Sequence, residues 1–263
     1  MSRMNSSIAM AGGLSLYFAF SSVAYASGSL PILEVESRFP LKLSVFEQGK
    51  SYGLSPPGDF MREIEDVYED VHVEDLTGDG VGEVVFNLGG GRVNACSRVL
   101  HYTDSDRSLS ELMFSGGGLC DFKIRHGYVI SSYKDGAVWA EDVYVVKGGK
   151  AYIKISDRCV GCGEIVRKEY LPDGSFVRLL VSDEVDFEKR TPLIAKVASL
   201  QAWIFSSLGA AQPTRKYLIR GDEVTILGGG KARGEEWIEF RFSGSTTTEG
   251  WLKCSDLDGC NEF

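Results

Sequence analysis

"GYVISSYKDGAVWAEDVYVVKGGKAYIKI", residues 127–155, decides what kind of fold this chain takes. Three runs rich in Val, Ile and Tyr are cut by "KDG" and "KGG", and glycine in such a place supplies the positive φ of a tight hairpin turn. Within "AVWAEDVYVV", Trp139, Val143 and Val145 share one parity, while Val138, Tyr144 and Val146 share the other. Strand side chains alternate between faces, so this pattern predicts a strand largely covered on both sides. The same rhythm extends outward through "EVVFNL" (83–88), "CSRVLHYT" (96–103), "EIVRKEYL" (164–171) and "SFVRLLV" (175–181), with Asp173-Gly174 as another turn pair. From about residue 80 to 182 the chain reads as a succession of short strands. That suits a sandwich, a barrel or a small propeller.

The 263 residues are enough for one large domain or two ordinary ones. "KRTPLIAK" (189–196) reads as a linker, because Pro192 cannot donate to a regular ladder. Beyond it the β pattern restarts with "KYLIRGDEVTILGG" (216–229), "EEWIEFRF" (235–242) and "EGWLKCSDL" (249–257). Two hairpin-like pairs in so short a stretch can make a small five-stranded barrel. The expected class is all-β, with a propeller-like or sandwich domain over 27–190 and a small barrel over 196–263.

Residues 1–26 are set aside from this fold. Arg3 is followed by the apolar, uncharged "SSIAMAGGLSLYFAFSSVA" and an Ala24-Tyr25-Ala26 exit, the layout of a secretory signal peptide. A membrane anchor fits less well, since the run is short, rich in Gly and Ser, and lacks a basic flank after it. The reading places the processed protein in the periplasm or outside the cell, with no membrane span. Removing Arg3 moves the net charge from -9 to -10. Such a surface repels nucleic acid and steers a basic partner inward.

All six cysteines lie in the exported portion, and an even count in an oxidising compartment reads as disulfides. Nearest-neighbour pairing of Cys96 with Cys120, Cys159 with Cys162 and Cys254 with Cys260 is preferred among the fifteen arrangements that six cysteines permit. "CVGC" (159–162) has rival readings. A thioredoxin-type motif would open a helix, and a four-sulfur zinc site would need a second pair at similar spacing. Glycines on both sides and β character after it favour a stapled hairpin turn.

"VEDLTGDGVGEVVF" (73–86) raises the question of an ion. Alternate residues of a tight loop point inward, so Asp75, Asp79 and Glu83 would offer carboxylates, Thr77 a hydroxyl or carbonyl, and Val81 its backbone oxygen. Phe86 stands where an EF-hand needs its bidentate Glu, and a strand follows, so the loop is of a shorter kind that joins two strands. The alternative is an acidic turn with no ion. Self-repulsion of three carboxylates within nine residues favours structural Ca2+.

Nothing in the sequence marks a reaction centre. His72, His101 and His126 are isolated within or beside β runs, which reads as packing or surface placement. No nucleophile elbow, Walker loop or HExxH helix occurs. "NLGGGRVNAC" (87–96) is glycine-rich but lacks the lysine and helix of a phosphate cradle, so a mobile hairpin is expected there. In "REIEDVYEDVHVED" (62–75) acids such as Asp66 and Glu69 are too plentiful for a glycosidase pair to stand out. The expectation is a binding protein and not an enzyme.

The segments "VEDLTGDGVGEVVF", "GGG…NACSRVLHY" and "GYVISSYKDGAVWAEDVYVV", spanning roughly residues 60–182, resemble a family of exported bacterial β proteins. That resemblance implies a propeller-like, calcium-bound fold. Members include immunity proteins that inhibit lysozyme-like effectors, and the fold is similar to periplasmic lysozyme inhibitors. The tail resembles a bacterial SH3-like domain. Gly221-Asp222, Trp237, Gly250-Trp251 and Asp256-Leu257 occupy that family's hairpin, central strand and closing positions. The resemblances imply a protein partner such as a basic lysozyme-like hydrolase, or peptidoglycan held by the tail. Trp203, Trp237 and Trp251 also suit a plain core.

Overall fold

A computed structural model describes residues 29–89, 93–115 and 118–260. The signal-like segment 1–26 and the centre of the 87–96 glycine stretch lie outside the described residues. The fold is mostly β, built from several antiparallel sheets. Among the described residues, none of these sheets closes into a barrel or propeller.

β1 (Ile32–Arg38), β2 (Leu41–Glu47) and β3 (Lys50–Leu54) form a meander, followed by a two-turn helix α1 (Gly58–Ile64). A second sheet takes β4 (Tyr68–Glu74), β5 (Glu83–Leu88), β6 (Cys96–Thr103) and β7 (Ser108–Glu111), with β8 (Leu119–Cys120) pairing β6. This sheet is covered on both faces, which explains its unbroken apolar run. Val84, Phe86 and Leu100 pack with Leu43, Val45, Phe60 and Ile64 on one side. Val85 and Val99 pack on the other side with Val129, Tyr144 and Val146.

Those last residues belong to a six-stranded sheet in the order β14-β13-β12-β11-β10-β9. Its strands are β9 (Lys123–Arg125), β10 (Tyr128–Asp135), β11 (Val138–Lys147), β12 (Lys150–Val160), β13 (Glu164–Tyr170) and β14 (Phe176–Ser182). The expected hairpins at "KDG" and Asp173-Gly174 are present, with Gly136 at φ +61° and Gly174 at φ +83°. β11 is buried from Ala140 to Tyr144, although Trp139 remains 45% exposed. The run includes Glu141 and Asp142, so burial here is not purely apolar.

The buried charges form one row across the sheet. Ser132 faces Glu141, Glu141 faces Asp157, and Asp157 faces Arg167 in the register of β10 to β13. Arg167 grips Asp157 through two parallel hydrogen bonds of 2.8 and 2.7 Å. Arg190 then closes the row from above, 2.8 Å from Glu141 Oε2 and 2.5 Å from Asp157 Oδ2.

That contact changes the picture of residues 189–196. Read from the sequence as a linker, the segment is tied down along its length. Arg190 is buried, Thr191 carbonyl accepts from Ser182 N–H at 2.9 Å, and Leu193 N–H donates to Leu180 at 2.9 Å. Pro192 makes an isolated bridge to Val181, as a residue without an N–H can at a sheet edge.

In the tail, β15 (Ile194–Lys196), β18 (Glu223–Ala232), β19 (Glu235–Ser243) and β20 (Thr247–Lys253) form a four-stranded sheet, and β16 (Gln201–Trp203) pairs β17 (Tyr217–Ile219). Their core includes Ala202, Ile226, Phe240 and Leu252, and Leu180 of β14 packs into it. The tail core is therefore continuous with the larger sheet. Disulfides join Cys96 to Cys120, Cys159 to Cys162 and Cys254 to Cys260. The second staples the β12–β13 turn, where Asp183 accepts from Gly161 N–H at 3.0 Å and Gly163 N–H at 2.7 Å. Among the described residues no helix is long and apolar enough to cross a membrane.

Candidate ion-binding loop

The acidic loop joins β4 to β5, with Glu74 and Glu83 paired at its base. Leu76 plugs it into the core beside Val85 and Val99, which fixes where the flanking carboxylates sit. Asp75 Oδ1 accepts from Gly78 N–H at 2.7 Å and from Thr77 N–H at 3.2 Å, and Asp75 Oδ2 accepts from Gly80 N–H at 3.0 Å. Asp79 Oδ1 accepts from Val81 N–H at 2.8 Å. These are the local carboxylate–backbone bonds that Asp favours in turns. Gly78 and Gly80 take φ of +75° and +86°, which a Cβ would resist.

Glu83 behaves differently. It is 1% exposed, its Oε2 accepts from Leu76 N–H at 2.8 Å, and its Oε1 lies 3.1 Å from His101 Nδ1. The Glu83 carboxylate, through that hydrogen bond, holds the His101 pKa above its ordinary value against the opposing effect of burial. Gly149 packs against the same imidazole, since a Cβ there would come within 2.8 Å of His101 Cδ2. His101 is thus a partner of Glu83 that the sequence reading left as an isolated histidine.

The loop keeps Asp75, Thr77 and Val81 half-buried around an exposed Asp79 and sends Glu83 inward. Among the described residues no three His, Cys, Asp or Glu side chains converge as a metal-holding group. Oxygen chemistry at the tip suits a hard cation, and Asp75 Oδ2 and Asp79 Oδ1, which each accept one hydrogen bond, retain a second lone pair. The inward aim of Glu83 does not suit it, because joining a ligand shell would cost the bonds to Leu76 or His101.

The remaining histidines take surface roles. His72 sits between Asp70 and Glu74, and His126 Nδ1 lies 2.8 Å from Glu188. The three tail tryptophans divide. Trp237 is buried edge-on against Phe205, with ring centroids 4.8 Å apart. Trp251 is half-buried and exchanges both backbone bonds with Phe205. Trp203 faces Tyr217 across the β16–β17 ribbon, ring centroids 5.5 Å apart, and both are about half exposed to solvent. Arg215 and Lys216 flank that pair and line a hydroxyl-bearing groove with Ser245, Thr246 and Thr248.

No protein-family model matches the sequence, and no curated protein matches it. Comparison with solved structures finds a distant likeness to a Xanthomonas type IV secretion system related protein. The alignment is 15% identical, covers 61% of this chain and 80% of that chain, and has a TM-score of 0.32. A likeness that weak assigns no family.

Proposed function

We propose that this chain is an exported binding protein whose acidic surface docks on a basic, lysozyme-like peptidoglycan hydrolase and inhibits it. The observation that carries the reading is the charge of the α1–β4 ribbon and the loop that follows. Glu65, Asp66 and Glu69 are exposed there, with Asp79 at the tip, in a chain of net charge -9. A cleft enzyme of opposite charge would be steered to such a ribbon. Three disulfides support an oxidising compartment, the periplasm or the exterior. The reading takes the sheets before residue 190 as the propeller-like or sandwich part and the tail as SH3-like. Its test is a panel of lysozyme-like hydrolases mixed with the purified protein at low salt. Inhibition and a co-eluting complex that weaken as salt rises are expected. Neither inhibition nor a complex with any member of the panel overturns the proposal.

Ca2+ belongs to the same proposal, held at the tip by Asp75 and Asp79 with oxygens of Thr77 and Val81, and with Glu83 in reach only if it releases a partner. For an affinity near 0.1 mM, millimolar Ca2+ would add about 1.4 kcal/mol, a rise in melting temperature of a few degrees. An unchanged melting curve in Ca2+ and in chelator removes calcium from the account.

The exposed Trp203–Tyr217 pair favours a second reading, a cell-envelope module that stacks on wall fragments. Sedimentation with isolated peptidoglycan separates the two. W203A/Y217A should abolish pelleting under this reading and leave hydrolase inhibition intact.

A further inference from the structure

We propose that the open edge of β12 between Lys150 and Lys154 is a docking site for an extended acidic peptide segment, which adds to the six-stranded sheet as a partial strand. β12 is paired to β11 along nearly its whole length, from Lys150 to Val160. On its other side β13, which ends at Tyr170, pairs only from Ile155 to Arg158. Among the described residues no strand pairs with 150–154 on that side, which leaves a row of backbone donors and acceptors about 16 Å long.

Beside this edge lies a groove of about 600 Å3, whose apolar lining includes Val145, Ala151, Ile153, Tyr170, Leu171 and Pro172. Its size is that of a ligand cleft, and its lining offers apolar pockets beside a backbone edge. Added strands are recognised in this combined way: main-chain bonds hold the segment and alternate side chains enter pockets. Tyr152 and Leu171, 53% and 48% exposed, leave apolar surface at the rim.

Charge selects the occupant. Lys147 and Lys154 line the groove, Lys150 is exposed at the start of the edge, and among the described residues none of the three ammonium groups has an ion-pair or hydrogen-bond partner. Asp173 on the neighbouring turn is committed to Ser175, whose N–H and hydroxyl it accepts. Three clustered free lysines run against the trend of a chain with net charge -9. Edge lysines do block pairing between copies of the same edge. That function accounts for the rejection of a second copy but leaves the apolar groove unexplained. An acidic segment with apolar side chains at alternate positions satisfies the backbone, the groove and the lysines together. The groove shares no lining residue with the acidic ribbon or with the Trp203–Tyr217 pair, and its test reads peptide binding and not hydrolase inhibition or pelleting with peptidoglycan, so it does not depend on either reading above.

The test uses the full chain with its disulfides formed and a labelled synthetic peptide alternating Glu with Val and Phe. Fluorescence anisotropy reads affinity, and hydrogen–deuterium exchange reads location. Binding that protects residues 150–154, and weakens about tenfold in K147E/K150E/K154E, is expected. The three lysines are exposed, so a matching melting curve identifies the variant as folded. Undiminished binding to the folded variant, or protection confined elsewhere, overturns the proposal. So does absence of binding. Protection of 150–154 by phosphatidylglycerol vesicles and not by peptide overturns it in favour of a lipid surface. Protection that follows protein concentration with no peptide present overturns it in favour of a second copy.

Discussion

Arg190 Nη1 lies 2.5 Å from Asp157 Oδ2, and both side chains are almost wholly buried. Asp157 also receives the fork of Arg167, while Arg190 uses its Nε and Nη2 on the carbonyls of Glu184 and Val185. One carboxylate thus holds two guanidiniums, and one of them belongs to the segment that leads into the tail. Neutralising the anion takes the charged fork from Arg167 and leaves Arg190 with Glu141 alone as counter-ion. D157N should lower unfolding free energy by about 3–5 kcal/mol in urea titration. R190M, which removes one cation and leaves the Arg167–Asp157 fork intact, should cost clearly less. Equal losses for the two variants would show that the row does not share its charge as described.

Glu47 makes stability depend on acid. Tyr102 hydroxyl donates to its Oε1 at 2.5 Å and Arg107 Nε donates to its Oε2 at 2.9 Å. The Tyr102 bond first, then Arg107, holds the Glu47 carboxyl below its ordinary value of 4.5. A folded-state value below the unfolded one means stabilisation that is complete above about pH 4.5 and lost as pH falls through the depressed value. Denaturation series at falling pH should show this loss in the parent protein, and E47Q should show a shallower acid limb. Parallel limbs for the two proteins contradict the assignment.

How much of this could be read from the sequence depends on where burial follows chemistry. Val84, Val85 and Phe86 are apolar and fully buried on alternating faces, so "EVVF" announced a covered strand. Residues 32–64 announced less. Phe39 and Phe46 are exposed there while Glu47 is buried, so apolar parity does not mark the core. α1 spans only two turns, and its buried Phe60 and Ile64 are a single i,i+4 pair that no longer periodicity supports. The charged row was invisible for another reason. Glu141, Asp157, Arg167 and Arg190 are far apart in the chain; the strand register brings the first three together, and the segment after β14 delivers Arg190. The acidic loop was legible as a tight turn with positive-φ glycines, but the inward aim of Glu83 depended on His101, eighteen residues away.

Two glycines at that loop should answer differently to alanine. Gly80 has φ +86°, and a Cβ would come 2.7 Å from Leu30 Cδ1, an exposed and yielding side chain. G80A should therefore cost about 1 kcal/mol, mainly from backbone conformation. At Gly82 a Cβ would come 2.3 Å from Val73 Cγ1, on a stiff β-branched side chain. G82A should cost roughly 1–3 kcal/mol through overpacking. Thermal unfolding of the pair ranks them, and a milder G82A would refute the contact.

The disulfides should rank by the loops they close. Cys96–Cys120 spans 24 positions, Cys159–Cys162 spans 3 and Cys254–Cys260 spans 6. The chain-entropy relation gives about 3.5 kcal/mol for the first and roughly 2 kcal/mol for each of the others. Paired serine substitutions followed in guanidinium test this order. The largest loss is expected for C96S/C120S, which also removes a bridge packed on Tyr133 and Ala140.

Asp142 of β11 is the counterpart of Asp157 of β12 on the opposite face of the same sheet, and it should respond in the opposite sense. Its Oδ2 accepts from the hydroxyl of Tyr133 at 2.8 Å and lies 3.4 Å from that of Tyr144, while Oδ1 is buried with no hydrogen-bond partner among the described residues. No guanidinium or ammonium is paired with it there. Burial, reinforced by the Asp142 carboxylate, pushes the Tyr133 hydroxyl up to about 12. A buried charge without a counter-ion carries a desolvation cost that the tyrosine hydroxyls offset only in part, whereas Asp157 has two cations to offset its own. D142N keeps the shape and the oxygen that serves the tyrosines, and removes the charge. It should leave stability within about 1 kcal/mol of the parent or raise it. D157N, an identical change fifteen residues along the same sheet, should be the severe one. A D142N loss as large as that of D157N would mean that a cation or a bound proton donor reaches Oδ1 and that Asp142 is paired after all.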